Sequence, residues 1–223
     1  MVSHLFARPN PGIPMVMTKT TSAPARTDSL ERLAAEAAGC TACDLYRNAT
    51  QTVFGRGPAH ARVLLVGEQP GDQEDRAGAP FVGPAGRILD EALAEVGLAR
   101  GDVYVTNAVK HFKWTAKGKR RIHQKPSARE VGACHQWLEA ELAAVDPAVI
   151  VALGATAGQA LFGSRFRVGA ARGQALDLDG RAVVATIHPS AVLRVQEPAD
   201  RAEQYAGLVA DLRRAAELEK ERP

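Results

Sequence analysis

The sequence predicts a three-layer α/β/α sandwich built around a largely parallel central sheet. Two observations predict it. Short, continuous apolar runs recur at 63–66, 103–106, 148–153 and 182–187, each the length of a strand buried on both faces. Between them lie stretches of helical period, so strands alternate with helices, and such alternation covers a parallel sheet on both sides.

The elements follow in order. Residues 30–38 carry a helical apolar pattern, and 62–66 read as the first buried strand. Residues 84–96 form an amphipathic helix with Pro84 at its start and Gly97 at its end. A short strand over 103–106 ends at Asn107. A long, basic, irregular loop then runs to Pro126. Ser127 and Glu130 make a capping box that opens a helix reaching about Val145. A strand over 148–153 leads through Gly154-Ala155-Thr156 into a helix ending at Leu161. Segments 174–178 and 182–187 flank Asp179-Gly180, a hairpin signal that adds an antiparallel strand. Residues 200–219 form a charged amphipathic helix. Residues 1–28, rich in Pro, Ser, Thr and Ala, are expected to be a flexible extension of one domain over 29–223.

The 223 residues are 46% hydrophobic, enough for a substantial core, and only 5% aromatic. Net charge is a modest +3, but Lys110, Lys113, Lys117, Lys119, Arg120, Arg121 and Lys125 fall in one stretch. Such a stretch binds phosphates even when average charge is low; the alternative is a solvated charged loop. No run of about 18 apolar residues argues for a membrane span, and no secretory leader is evident. A cytoplasmic, monomeric protein is expected.

The three cysteines are Cys40 and Cys43, in a CxxC after the first helix, and Cys134, in the helix after the basic loop. Their odd number argues against a disulfide framework. A thioredoxin-type motif follows a strand, whereas this CxxC follows a helix. A metal site needs a fourth ligand, and His111 is the candidate. A Cys3His set suits zinc or an iron–sulfur cluster, and the spacing does not choose between them. A CxxC without metal is the remaining alternative.

Two segments place catalytic-type residues where buried strands end: Gly67-Glu68-Gln69-Pro70-Gly71 and His188-Pro189-Ser190. Open α/β sheets keep their ligand crevice at such ends. With the basic segment Lys119-Arg120-Arg121-Ile122-His123 between them, they suggest a protein that grips nucleic acid and acts on one nucleotide.

The strings GEQPGDQEDRAGAPFVGPAGRILD (67–90), TNAVKH (106–111) and HPSAVLR (188–194), in that order and downstream of the CxxC, resemble the uracil-DNA glycosylase superfamily. The resemblance covers roughly residues 30–215 and is nearest to the iron–sulfur families 4 and 5. Family 4 carries cysteine where this chain has His111, and lacks the KRRIH segment at 119–123; both departures match the UdgX-type subgroup. The resemblance implies a 4Fe–4S cluster on Cys40, Cys43, His111 and Cys134. It also implies uracil-containing DNA as partner, with single-stranded DNA expected, and covalent attachment to the sugar through the loop histidine.

The reaction needs three things: donors for the uracil oxygens, a stacking face, and a nucleophile below the anomeric carbon C1′ of an extruded nucleotide. With the resemblance, Phe81 is expected to be the stacking face and Asn107 to read the uracil edge; without it, an ordinary core Phe and a strand-end turn residue are the alternatives. His188 donates to a uracil carbonyl as charge builds there. Backbone donors of Gly67, Gln69 and Gly71 meet uracil or a phosphate. On the resemblance, His123 would attack C1′ in place of water, with Glu68 orienting the imidazole, accepting its proton and stabilising the cationic sugar; the alternative for His123 is a surface-loop histidine. Lys119, Arg120, Arg121, Ser190 and Arg194 contact DNA. Two rivals stand: a conventional multi-turnover glycosylase, and an electron carrier or structural metal-binding module.

Overall fold

The computed structural model describes residues 26–222. The expected flexible extension, 1–28, lies outside them except for its last three residues, which open the first helix. That helix, α1, spans Arg26–Ala38. A 3-10 turn over Asp44–Arg47 follows it. Strand β1 is Val63–Gly67, helix α2 is Asp72–Ala77 and helix α3 is Pro84–Glu95. Strands β2 (Val103–Asn107), β3 (Trp114–Lys117) and β4 (Arg120–His123) precede helix α4 (Ala128–Val145). Then come β5 (Val149–Leu153), α5 (Ala155–Phe162) and α6 (Val168–Ala171). Strands β6 (Ala175–Leu178) and β7 (Arg181–Thr186) lead to α7 (Ser190–Arg194) and α8 (Pro198–Glu221).

The main sheet has five strands in the order β2-β1-β5-β7-β6. The first four are parallel, and β6 joins β7 antiparallel. This is the expected α/β sandwich. Side-chain alternation divides the sheet between two cores. Val63, Leu65, Val105 and Val151 pack with Leu89 of α3 and Leu212 of α8. Leu64, Val66, Tyr104 and Ile150 face the other way, against Leu138 of α4 and Leu30 of α1. The β6–β7 turn has Asp179 at φ 51° and Gly180 at φ 81°, both positive, as a two-residue hairpin of this hand requires.

The chain leaves β1 for β2 on one side and returns to β5 on the other. The crevice at a switch of this kind opens outside the carboxyl ends of the strands. Glu68, Asn107, Gly154 and His188 each lie at the carboxyl end of one of the four parallel strands.

The basic segment differs from expectation. It is not an irregular loop but the hairpin β3–β4, with Trp114 opposite His123 and Lys117 opposite Arg120. Gly118, at φ 59°, makes its turn possible. The hairpin is held from outside. Arg121 pairs with Asp72 and, at 2.6 Å, with Asp75. Its guanidinium lies 5.3 Å from the Phe112 ring centroid and 5.5 Å from that of Trp114.

Candidate active site

A cavity of about 750 Å³ opens at the carboxyl ends of the strands, a size suited to one nucleoside. Phe81, Asn107 and His188 line its floor and walls, and Glu68, Gln69 and His123 line its other side.

Phe81 is buried, at φ 55°, a conformation rare for an aromatic residue. Gly86 admits it: a Cβ there would collide with the Phe81 carbonyl. The strained backbone turns the ring toward His188, with centroids 5.7 Å apart and planes 29° apart. Gly67 serves the same corner. A Cβ on Gly67 would sit 2.6 Å from Phe81 Cζ and would collide with Asn107 Oδ1. Asn107 is only 2% exposed, and its Oδ1 is buried without a hydrogen-bond partner. A buried orphan acceptor on a cavity wall is a place for a ligand donor. The Asn107 backbone carbonyl accepts from Lys110 Nζ at 2.7 Å. Lys110 is itself paired with buried Glu141.

His188 is held in one tautomer. The Ser190 backbone N–H donates to its Nδ1 (3.2 Å), and Ser190 Oγ lies 2.8 Å from the same atom. The ring proton is therefore on Nε2. Burial above all, then Arg194 and His123, push its pKa down to about 4, so it is a neutral donor at neutral pH.

The Gln69 side chain, for which the sequence suggested no role, clamps the hairpin. Its Oε1 accepts from Lys113 N (3.1 Å) and its Nε2 donates to Gln124 O (3.0 Å). The same Nε2 lies 2.8 Å from His123 Nε2. These bonds fix the amide orientation, so His123 Nε2 accepts and carries the lone pair. Orienting the imidazole thus falls to Gln69. Glu68 Oε1 stands 3.6 Å from His123 Nε2, beyond hydrogen-bond reach but close for a carboxylate facing a developing cation. Partial burial, aided by Arg194 and resisted by Glu68, holds the His123 pKa below its ordinary value.

Other expected contacts are rearranged. The Gly71 N–H is taken by Glu74 Oε2 (3.2 Å), which closes a cap on α2 and leaves that donor unavailable to uracil. Arg121 is 13% exposed in its side chain and engaged with two carboxylates, so it braces the hairpin rather than reaching a phosphate. Ser190 Oγ is engaged by His188 and by Arg194 Nη1 (3.0 Å). Lys119 and Arg120, at the hairpin tip, and Arg194, at the cavity mouth, are exposed. Thr156, which carries no sequence signal, donates its hydroxyl to Glu68 Oε2.

Cys43 and Cys134 share a small apolar cluster with Leu45, Val109 and Trp137. Burial pushes the Cys43 thiol up, with Cys40 adding to it, and that of Cys134 to about 11, with Cys43 and Cys40 adding to it. Such thiols are inert unless a metal displaces their protons. Trp137 Nε1 donates to Cys40 Sγ and Lys110 N to Cys134 Sγ, each at 3.2 Å, bonds that suit thiolate carrying a cluster. His111 is buried, with Nε2 2.9 Å from Thr52 Oγ1, which leaves Nδ1 as the ring nitrogen free for a further partner. Among the described residues no three or more such groups stand at ligating distance. The donor chemistry nevertheless fits a soft metal.

An aromatic wall, an orphan amide acceptor and a neutral imidazole donor at the ends of a parallel sheet define a pocket for a planar, hydrogen-bonding base. The chain belongs to the uracil DNA glycosylase superfamily, whose family model matches residues 54–213. It is 40% identical over 171 residues to the type-4 uracil-DNA glycosylase of Thermotoga maritima, covering 76% of this chain and 85% of that one. It is 37% identical over 174 residues to the type-4 enzyme of Archaeoglobus fulgidus, covering 74% and 84%. The type-5 enzyme of Pyrobaculum aerophilum is 36% identical over 151 residues, covering 60% and 63%. No helix among the described residues is long and apolar enough to cross a membrane.

Proposed function

We propose that this protein cleaves the N-glycosidic bond of deoxyuridine in DNA, preferring single strands, and stays attached to the sugar through His123. The observation that carries the base specificity is the buried, unpartnered Asn107 Oδ1 beside Phe81. Uracil N3–H supplies the donor that this oxygen lacks, and the Asn107 amide N–H meets uracil O4. Cytosine offers no proton at N3 and a donor at its 4-position, so it leaves both bonds unmade.

The C1′–N1 bond breaks with its electron pair going to uracil. His188 Nε2–H stabilises the resulting oxyanion, and its neutrality keeps that proton in place. Phe81 stacks on the base. His123 turns its Nε2 lone pair from Gln69 onto C1′, forming a C–N bond; the imidazolium then loses its Nδ1 proton to solvent. Glu68, whose Oε1 faces His123 Nε2, stabilises the positive charge on sugar and ring. Lys119, Arg120 and Arg194 hold the phosphates. Cys40, Cys43, Cys134 and His111 would hold a 4Fe–4S cluster (zinc being the alternative), which would tie the segment after α1 and the segment after β2 to α4.

The test is a denaturing gel after incubation with uracil-containing single-stranded DNA. A slower band surviving heat and detergent, absent with His123→Ser, is expected. The variant should instead release uracil by hydrolysis. Many uracils released per wild-type molecule, with no slower band, would establish the multi-turnover rival.

A further inference from the structure

We propose that Thr156 is the positioning residue for Glu68: it anchors one carboxylate oxygen so that the other faces the reacting sugar. The inference rests on the glycosidic-cleavage reading above, though not on covalent attachment.

Glu68 lies one residue beyond β1, where no ladder bond fixes its side chain. A glutamate there has three rotatable bonds and an open cavity to sweep. Its two oxygens are nevertheless divided. Oε2 accepts from Thr156 Oγ1, and Oε1 stands 3.6 Å from His123 Nε2. The division follows from the fold. Strands β1 and β5 are parallel neighbours with Val66 beside Ala152, so the residues after each emerge side by side. Gly154 makes the turn out of β5 at φ 92°, and a Cβ there would press to 3.1 Å on His188 Cβ. That tight turn puts Thr156 into the first turn of α5, next to Glu68.

Thr156 suits the task. It is 3% exposed, and its branched Cβ restricts χ1, so the hydroxyl has little freedom to leave. The hydroxyl donates one proton, and the carboxylate takes it; no other partner of that hydroxyl is present among the described hydrogen bonds. Thr156 lines the same cavity, with its hydroxyl committed to Glu68. It acts through Glu68 by making one rotamer of the carboxylate dominant before DNA arrives, the preorganisation that a charge-stabilising group requires.

The experiment is single-turnover uracil release from a uracil-containing single strand, a readout shared by attachment and by hydrolysis. Wild type is compared with Thr156→Val, Thr156→Ser, Glu68→Gln and the Thr156→Val/Glu68→Gln double variant. A hydrogen bond to a charged group sets the scale, so Thr156→Val should slow release by about 10-fold or more. The protein concentration for half-saturation should be unchanged. Thr156→Ser should recover to within about 3-fold of wild type, because it keeps the donor. The double variant should be no slower than Glu68→Gln alone, the non-additivity of residues acting as a unit. Thr156→Ala serves as a second donor-free variant should the valine fail to fold. Wild-type rates in Thr156→Val, equal impairment in Thr156→Ser, or additive losses in the double variant would each overturn the proposal. Full activity in Glu68→Gln would instead remove the Glu68 reading beneath it.

Discussion

Replacing Gly67 by alanine tests the pocket at its tightest point. The added Cβ would stand 2.6 Å from Phe81 Cζ and 2.9 Å from Cε2, where ordinary contact begins near 3.4 Å. The ring must therefore retreat by about 0.8 Å, or β1 must bulge by the same amount. The same Cβ displaces Asn107 Oδ1 from the other side. Both groups that read the base thus move by nearly an ångström. Misplacement of that size costs about 100-fold in rate, or about 2.7 kcal/mol of transition-state stabilisation. Strain in the packed corner adds a loss of about 1–3 kcal/mol of folding stability. The assay is single-turnover uracil release at saturating protein, with thermal unfolding alongside. A Gly67→Ala protein that folds and releases uracil within about 3-fold of wild type would refute the claim that Phe81 and Asn107 define the base site.

Three further outcomes are expected. Arg121→Met leaves Asp75, whose side chain is 0% exposed, without its cation; a loss of about 3 kcal/mol should lower the melting temperature by about 10 °C, and a shift under about 2 °C would show the pairs to be inert. Burial holds the His123 pKa below the ordinary 6.5, so if only the neutral ring attacks, covalent-product formation should fall on acidification with a midpoint below pH 6.5; a midpoint above 7 contradicts this. Replacing both Lys119 and Arg120 by alanine should reduce the slope of log affinity against log salt by about 1.4, measured by titration with a labelled single strand; an unchanged slope removes them from the phosphate contacts.

What was legible in the sequence was local. Pro84 at the first position of α3, the Ser127–Glu130 box and the Asp179–Gly180 turn announce their elements through chemistry confined to a few residues, and the structure has each in place. The strand ends carrying Glu68, Asn107 and His188 were readable because buried strands are apolar and their final residues are not. The hairpin was not readable. Residues 114–123 show no apolar alternation, and what stabilises them is Arg121 reaching carboxylates 46 and 49 positions earlier. The duties of Gln69 and Thr156 were hidden for the same reason, since each depends on a partner 54 or 88 positions away. Helices α2, α6 and α7, of six, four and five residues, are too short for periodicity to register.

His123 and the strand-end residues of the cavity come from different parts of the chain. Glu68, Asn107, Gly154 and His188 enter the cavity from the ends of strands anchored in the core. The histidine rides on an appendage inserted between β2 and α4, fastened to the body chiefly through Gln69 and the two carboxylates of α2. Under the proposed attachment through His123, altering this one hairpin would add or remove permanent capture of the product. Excising residues 114–123 should leave an ordinary base-excising scaffold behind.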